Sequence, residues 1–376
     1  MTGWPERIER RLDGIRASGR WRTVRTISDG PVVGRPVGGD ADVVSFASND
    51  YLGLTHHPAV VAAAHDALDR YGAGSGAARL IVGSRPPHDE LEADLADWTG
   101  REAALLFTTG YQANVGVLGA LAAAADGALV LSDALNHASI IDGARLARAE
   151  VQVYGHADAA EVEARLAAAG DRPAIVVTDA VFSMDGDVAP LDELVAACRR
   201  HGALLVVDEA HAVLGPATPE GDDVVVVGTL SKTLGSVGGF VAGPAGVVDL
   251  CRNVARSFIF TTAGPPADAA AAQAALAVLR SEEGDELRAQ LRANVELLRP
   301  GHRSPIVPVV LGDEQRAVEV SAELLARGML IPAIRPPTVP PGSSRLRVAL
   351  SAAHTAEMID RLLDALAELV PVPVDG

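Results

Sequence analysis

The sequence is short of lysine. Of its 32 basic side chains only Lys232 is a lysine, and every other is an arginine. Arginine carries the same charge and binds oxyanions with two prongs, but it does not shed its proton near neutral pH, whereas a desolvated lysine does. A chain that keeps one lysine is therefore expected to need an amine there. Cysteine is nearly as rare: Cys198 and Cys251 are the only two, and neither belongs to a C-x-x-C pair. A disulfide framework is excluded and no metal site is expected, and both cysteines read as packing residues in the helical segments AACRR and DLCRN. Excess positive charge is missing as well. The formal net charge of −17 disfavours non-specific nucleic-acid binding, which needs a basic face to displace counterions. No apolar run approaches the ~20 residues of a membrane span, and MTGWPERIERRLDGIRASGRW, at the N-terminus, lacks the apolar stretch of a signal peptide. A cytoplasmic protein without membrane contact is expected.

What is present is a long chain, 376 residues and 48% hydrophobic, enough for one large and one smaller domain with a substantial core. Continuously apolar runs at 128–133, 151–155, 174–182, 204–211, 224–231 and 238–243 read as strands, and the stretches between them carry helical periodicity. Buried strands alternating with helices predict a mainly parallel sheet covered on both faces. An Ala-rich helix or helix pair over 265–300 leads into a different pattern: SPIVPVVLG, AVEVSAELLARG, MLIPAIRPP, SRLRVALS and a last helix, TAEMIDRLLDALAEL. These predict a small α+β unit with a mixed or antiparallel sheet, two of its strands joined by the Pro-rich RPPTVPPGSS.

Ligands of open α/β sheets lie beyond the carboxyl ends of the strands. Polar residues follow the apolar runs at Asp133, at Ser183, at Asp208 with His211, and at Thr229, Ser231 and Lys232, so an acid, an imidazole, hydroxyls and the amine are expected at one sheet edge. In LLFTTGYQANVGVLGAL the turn at Gly110 and Tyr111 opens a helix, whose free N–H groups favour an anion. An amine near a carboxylate, an imidazole and a phosphate-binding helix start points to pyridoxal phosphate, an aldehyde that joins a lysine as an imine and whose ring becomes an electron sink when a carboxylate keeps its nitrogen protonated. Asp208 is the candidate carboxylate.

The segments SNDYLGL, GAGSGAARLIVGSRPPHDELE, LLFTTGYQAN, SDALNHASIIDGARL, TDAVFSMDGDVAPLDEL, VVDEAH, GTLSKTLGSVGG, SFIFTT and PPTVPPGSSRLRVALSAAH together resemble the α-oxoamine synthases, pyridoxal-phosphate enzymes of fold type I, over nearly the whole chain. The resemblance is strongest to the branch that condenses L-alanine with a pimeloyl thioester, carried on CoA or an acyl carrier protein. It implies a PLP-dependent transferase fold of type I: an N-terminal segment (1–45) reaching the substrate site, a large cofactor-binding domain (46–265) with a mainly parallel sheet flanked by helices, and a small C-terminal α+β domain (266–376).

By the same resemblance Lys232 carries the cofactor, Asp208 pairs with the ring nitrogen, His137 stacks on the ring and lines the substrate site, and Ser183 and His211 contact the ring oxygen. The backbone of Gly110 and Tyr111 and the Thr229 hydroxyl hold phosphate. Asn49, Arg347 and Arg22 match substrate-recognition positions, and Thr338 lies near the acyl chain. The family pattern implies a homodimer with its site at the subunit interface, where Thr261 and Thr262 serve the partner's phosphate. Three features depart from it: Asp179 stands where many members have Glu, Ala212 follows His211 where Gly is common, and the loop VLGPATPEG is short. Sister enzymes that take glycine, the 5-aminolevulinate synthases and 2-amino-3-ketobutyrate ligases, share fold and cofactor, and composition and spacing leave that choice open. A non-catalytic binding subunit of the same fold is opposed by the retention of the sole lysine.

Overall fold

The computed structural model describes residues 3–370 except 29, 31, 37, 38 and 40. Its centre is a seven-stranded sheet, ordered Ala103–Phe107, Gly239–Gly243, Val224–Thr229, Leu204–Asp208, Ala174–Asp179, Leu129–Asp133, Glu150–Tyr154. Neighbours run parallel except Gly239–Gly243, which is antiparallel to both strands beside it. The mainly parallel sheet expected from the apolar runs is thus present. The strand Ala103–Phe107 is not among the expected ones, because the short run AALLF has no period that tells a strand from a helix.

Burial on both faces explains the continuous apolarity. One face packs Leu105, Val130, Val177, Val206 and Val227 under the helices Gly110–Ala123, Ala138–Leu146 and Ala245–Val254. Across part of the opposite face, Leu131, Val176, Leu205 and Val224 meet Ala159–Ala169 and Leu191–His201. Leu106, Val226 and Phe240 join a third cluster, which runs through Pro86–Thr99 and Pro266–Leu279 into the N- and C-terminal elements. Each such aliphatic side chain contributes about 1.5–3 kcal/mol on burial, which favours this arrangement over any that exposes the strands.

The Ala-rich stretch is a helix pair, Pro266–Leu279 and Glu282–Leu298. The strands Ile306–Gly312, Ser344–Ala349 and Ala333–Ile334 form an antiparallel sheet, with the Pro-rich segment joining the last two in chain order. The run MLIPAIRPP divides between two sheets, for Met329–Leu330 pairs in parallel with Val43–Ser45 of a four-stranded N-terminal sheet. The charged N-terminal segment forms an exposed helix, Trp4–Ala17. Among the described residues no helix is long and apolar enough to cross a membrane, and no group of three or more His, Cys, Asp or Glu is gathered to hold a metal.

Candidate active site

Strand register places Asp179 directly beside Asp208 at the carboxyl edge of the sheet, and Asp208 opposite Val227, two residues before Thr229. The chain turns out of the last of these strands through Leu230 and Ser231 into Lys232. Its Nζ lies 2.8 Å from Nε2 of His211, which leaves the neighbouring strand after Asp208. Burial, with Arg347 adding to it, lowers the Lys232 amine to about 8 against the partial opposition of Asp208 and Asp179. The His211 imidazole is held well below its ordinary range by desolvation and then by the positive charges of Lys232 and Arg347, so it is neutral.

Behind the lysine, Asp208 is buried and anchored. Asn114 Nδ2 donates to its Oδ2 at 2.6 Å and Ala210 N to its Oδ1 at 2.9 Å. Asn114 opens the otherwise apolar run NVGVLGALAA of the helix Gly110–Ala123, also contacts Ser139 Oγ at 2.9 Å, and leaves its own buried Oδ1 without a partner. His137 caps the next helix, its Nδ1 2.7 Å from Ser139 Oγ, while its backbone N donates to Asp179 Oδ2 at 2.8 Å. Burial pushes the His137 imidazole down, and burial beside Asp208 raises the Asp179 carboxyl well above the usual range. The Asp179 departure therefore places a buried acid under the His137 turn.

Gly110 opens its helix hard against the lysine's strand: a Cβ there would lie 3.2 Å from Thr229 Cβ. Thr229 Oγ1 contacts Ser231 Oγ at 2.7 Å and donates to Gly238 O at 2.9 Å. The first N–H groups of a helix have no partner within it, so the Gly110–Tyr111 turn sets such N–H groups beside these hydroxyls at one corner of the sheet edge. The Tyr111 ring is exposed and its hydroxyl donates to Asp142 Oδ2 at 2.6 Å.

On the other side, the antiparallel strand Ser344–Ala349 delivers Arg347, buried with 6% exposure. Its Nε donates to Ser183 O at 2.5 Å and its Nη2 to Asn49 Oδ1 at 3.1 Å. The Ser183 loop is held by further charges: Arg345 bonds Asp185, and His156 bridges Asp187 (2.5 Å) and Asp133 (3.0 Å). Asn49 leads to a residue the motif reading passed over. Asp50 accepts from Leu54 N at 2.9 Å and from Thr55 Oγ1 at 2.5 Å, folding SNDYLGL into a turn that buries Tyr51 completely. Tyr51 Oη is 2.5 Å from His211 Nδ1 and 3.2 Å from Asn49 Oδ1. Lys232, His211, Tyr51, Asn49, Arg347 and Ser183 are one connected chain.

Other candidates lie apart from it. Arg22 and Thr338 share an open cleft of about 940 Å³ with Arg20, Trp21 and Arg335, and none of the lysine's partners lines it. Thr261 borders a cavity of about 270 Å³ beside Thr108 and Leu230, and Thr262 is exposed. Missed by the sequence reading were Tyr51, Asn114 and Ser139. The available signal was a polar side chain at a position otherwise apolar, clearest for Asn114 within NVGVLGAL.

A parallel-type sheet with a lysine, two acids and a corner of N–H groups and hydroxyls at its edge defines a class, and comparison with known proteins agrees: the model for aminotransferase class I and II matches residues 41–366. An 8-amino-7-oxononanoate synthase of Anaeromyxobacter dehalogenans is 52% identical, over 96% of this chain and 94% of its own. Among solved structures, a serine palmitoyltransferase from S. paucimobilis with bound PLP superposes at TM-score 0.89 with 32% identity, covering 97% of this chain and 98% of its own. An 8-amino-7-oxononanoate synthase from Francisella tularensis superposes at 0.73 with 25% identity over 88% and 98%. The chain belongs to the 8-amino-7-oxononanoate synthase family of the class I and II aminotransferase fold.

Proposed function

We propose that the chain condenses L-alanine with a pimeloyl thioester, on CoA or an acyl carrier protein, giving 8-amino-7-oxononanoate, CO2 and the free thiol in biotin biosynthesis, and that it does so with pyridoxal phosphate as a cytoplasmic homodimer. The observation that carries this reading is the placement of the chain's sole lysine, its amine lowered to about 8, against His211 and in front of Asp208.

The donor set fits the cofactor. An amine stands for the aldehyde, a buried anchored carboxylate for the ring nitrogen, and an N–H and hydroxyl corner for the phosphate; the partnerless Asn114 Oδ1 marks a buried polar space beside that carboxylate. When bound, pyridoxal phosphate takes amines covalently at its aldehyde and draws electrons from the bonds next to the captured nitrogen. Asp208, fixed by Asn114 and Ala210 N, would be the carboxylate that pairs with the ring nitrogen. The imidazole of His137 would stack on the ring, and His211 with Ser183 would contact the ring oxygen. The backbone of Gly110 and Tyr111 and the Thr229 hydroxyl would hold the phosphate, joined by Thr261 and Thr262 from the partner subunit of a homodimer.

Arg347 spends two of its five N–H groups on Ser183 O and Asn49 Oδ1, which fixes the fork and leaves the remaining donors for the alanine carboxylate. Lys232 accepts the alanine α-proton at Nζ, and its low proton affinity keeps a share of the amine neutral near pH 7. Arg22 and Thr338 border the acyl chain from the outer cleft. Product analysis after crossing L-alanine or glycine with pimeloyl-CoA and short acyl-CoAs tests this reading. The nine-carbon amino ketone 8-amino-7-oxononanoate is expected from alanine and pimeloyl-CoA, and a preference for glycine with a short acyl-CoA would assign the chain to a sister activity instead.

A further inference from the structure

The lysine-to-arginine chain of contacts has a direction, and the direction follows from counting hydrogens. Arg347 has only donors, so the Asn49 atom 3.1 Å from its Nη2 must be the amide oxygen. That oxygen also lies 3.2 Å from Tyr51 Oη. Burial pushes the Tyr51 phenol up to about 12, so it keeps its single hydrogen. Arg347 also hydrogen-bonds the Tyr51 oxygen, which therefore already accepts from one side; were its own hydrogen given to His211 Nδ1, the 3.2 Å contact with Asn49 Oδ1 would hold no hydrogen of its own, a loss that burial makes costly. Given to Asn49, it leaves the Tyr51 oxygen as acceptor at 2.5 Å from His211 Nδ1, which then must carry the imidazole hydrogen. A neutral imidazole has one. Nε2 is therefore bare, and it accepts a hydrogen from Lys232 Nζ at 2.8 Å. This arrangement puts one hydrogen in every contact of the chain, and it leaves the Tyr51 oxygen free to accept from Arg347 as well.

We propose that Tyr51 is a positioning residue that, oriented through Asn49 by Arg347, holds His211 in its Nδ1–H form, so that the bare Nε2 anchors the Lys232 amine with its lone pair turned away from the imidazole. Besides the Tyr51 phenol, the charges of Lys232, Arg347 and His137 act on this imidazole, and all three disfavour a second proton on it. The use of an oriented amine rests on the proposed chemistry, but the tautomer is a property of the protein alone and is tested without cofactor.

The test is nitrogen NMR of ring-labelled histidine in the cofactor-free full chain. Wild type is expected to show His211 protonated at Nδ1 and bare at Nε2. Tyr51→Phe removes the acceptor for Nδ1–H and is expected to lose that form as the majority species, with the far-ultraviolet dichroism unchanged. Asn49→Leu leaves the Tyr51 hydrogen no acceptor but Nδ1 and is expected to move the proton to Nε2, an independent reading if the first variant folds poorly. A wild-type His211 protonated at Nε2, or an Nδ1–H form unaltered in both variants, overturns the proposal. Either result leaves the alanine and pimeloyl-CoA assay unaffected, so failure here is distinguishable from failure of the functional reading.

Discussion

A single side chain explains the oddest feature of the composition. Arginine at 232 would keep the charge and lose the function, because its guanidinium stays protonated where a buried amine does not. The Lys232 amine is lowered from 10.5 to about 8 chiefly by desolvation, and the neutral amine is the form that attacks an aldehyde. Uptake of pyridoxal phosphate by the cofactor-free protein should accordingly accelerate as pH rises, with a midpoint near 8. A stopped-flow absorbance series over pH 6–11 measures it, and a midpoint near the ordinary lysine value would show that burial does not tune this residue. Asp179 illustrates how a residue that only looked unusual gains a physical meaning. Its carboxyl, buried beside Asp208 and bonded to His137 N, shapes the His137 turn from below.

At the scale of elements, the site depends on the closeness of the helix Gly110–Ala123 to the sheet. A Cβ at Gly239 would stand 2.5 Å from both Cα and N of Gly110, so glycine is the only residue that lets the antiparallel strand pass beneath the helix start. Gly239→Ala should therefore cost about 1–3 kcal/mol, as overpacking does, and weaken cofactor retention together with stability. Urea denaturation and dialysis of the loaded protein read the two effects, and an unchanged midpoint would mean the corner is slack. Elements of this kind were readable from the sequence where burial enforces a period. The central parallel strands, the capped helices after His137 and Thr109, and the last helix after Thr355 all fall where apolar spacing and cap residues place them. Strand Ala103–Phe107 and the division of MLIPAIRPP between two sheets were not readable, since local pattern carries no information about which distant strand pairs with a short run. The lysine, its acid and its imidazole were legible because each follows a strand. Tyr51 and Asn114 were not, because their roles come from contacts across 160 and 94 residues of chain.

Across the whole molecule, the loop at 183–187 ties the C-terminal sheet to the central one. The 183–187 segment is gripped by Arg345 and Arg347 from the C-terminal sheet and by His156 from the central one. Hydrogen bonds that its ring donates to Asp133 and Asp187 raise His156 to about 10. A histidine bound more tightly to its proton in the folded state stabilises fully below its unfolded value, near 6.5, and loses that contribution as pH climbs through 10. Wild type should therefore exceed His156→Gln in stability at pH 6, with the gap narrowing steadily up to pH 10. Paired urea titrations at several pH values check the slope, and a gap that widens with pH would reverse the assigned sign.

The most direct measurement is reduction of the pyridoxal-phosphate-loaded protein with borohydride, followed by peptide mapping. The adduct should fall on the peptide containing Lys232, and its formation should depend on added cofactor. An absence of any pyridoxyl mark on that peptide under saturating cofactor would contradict the account at its root.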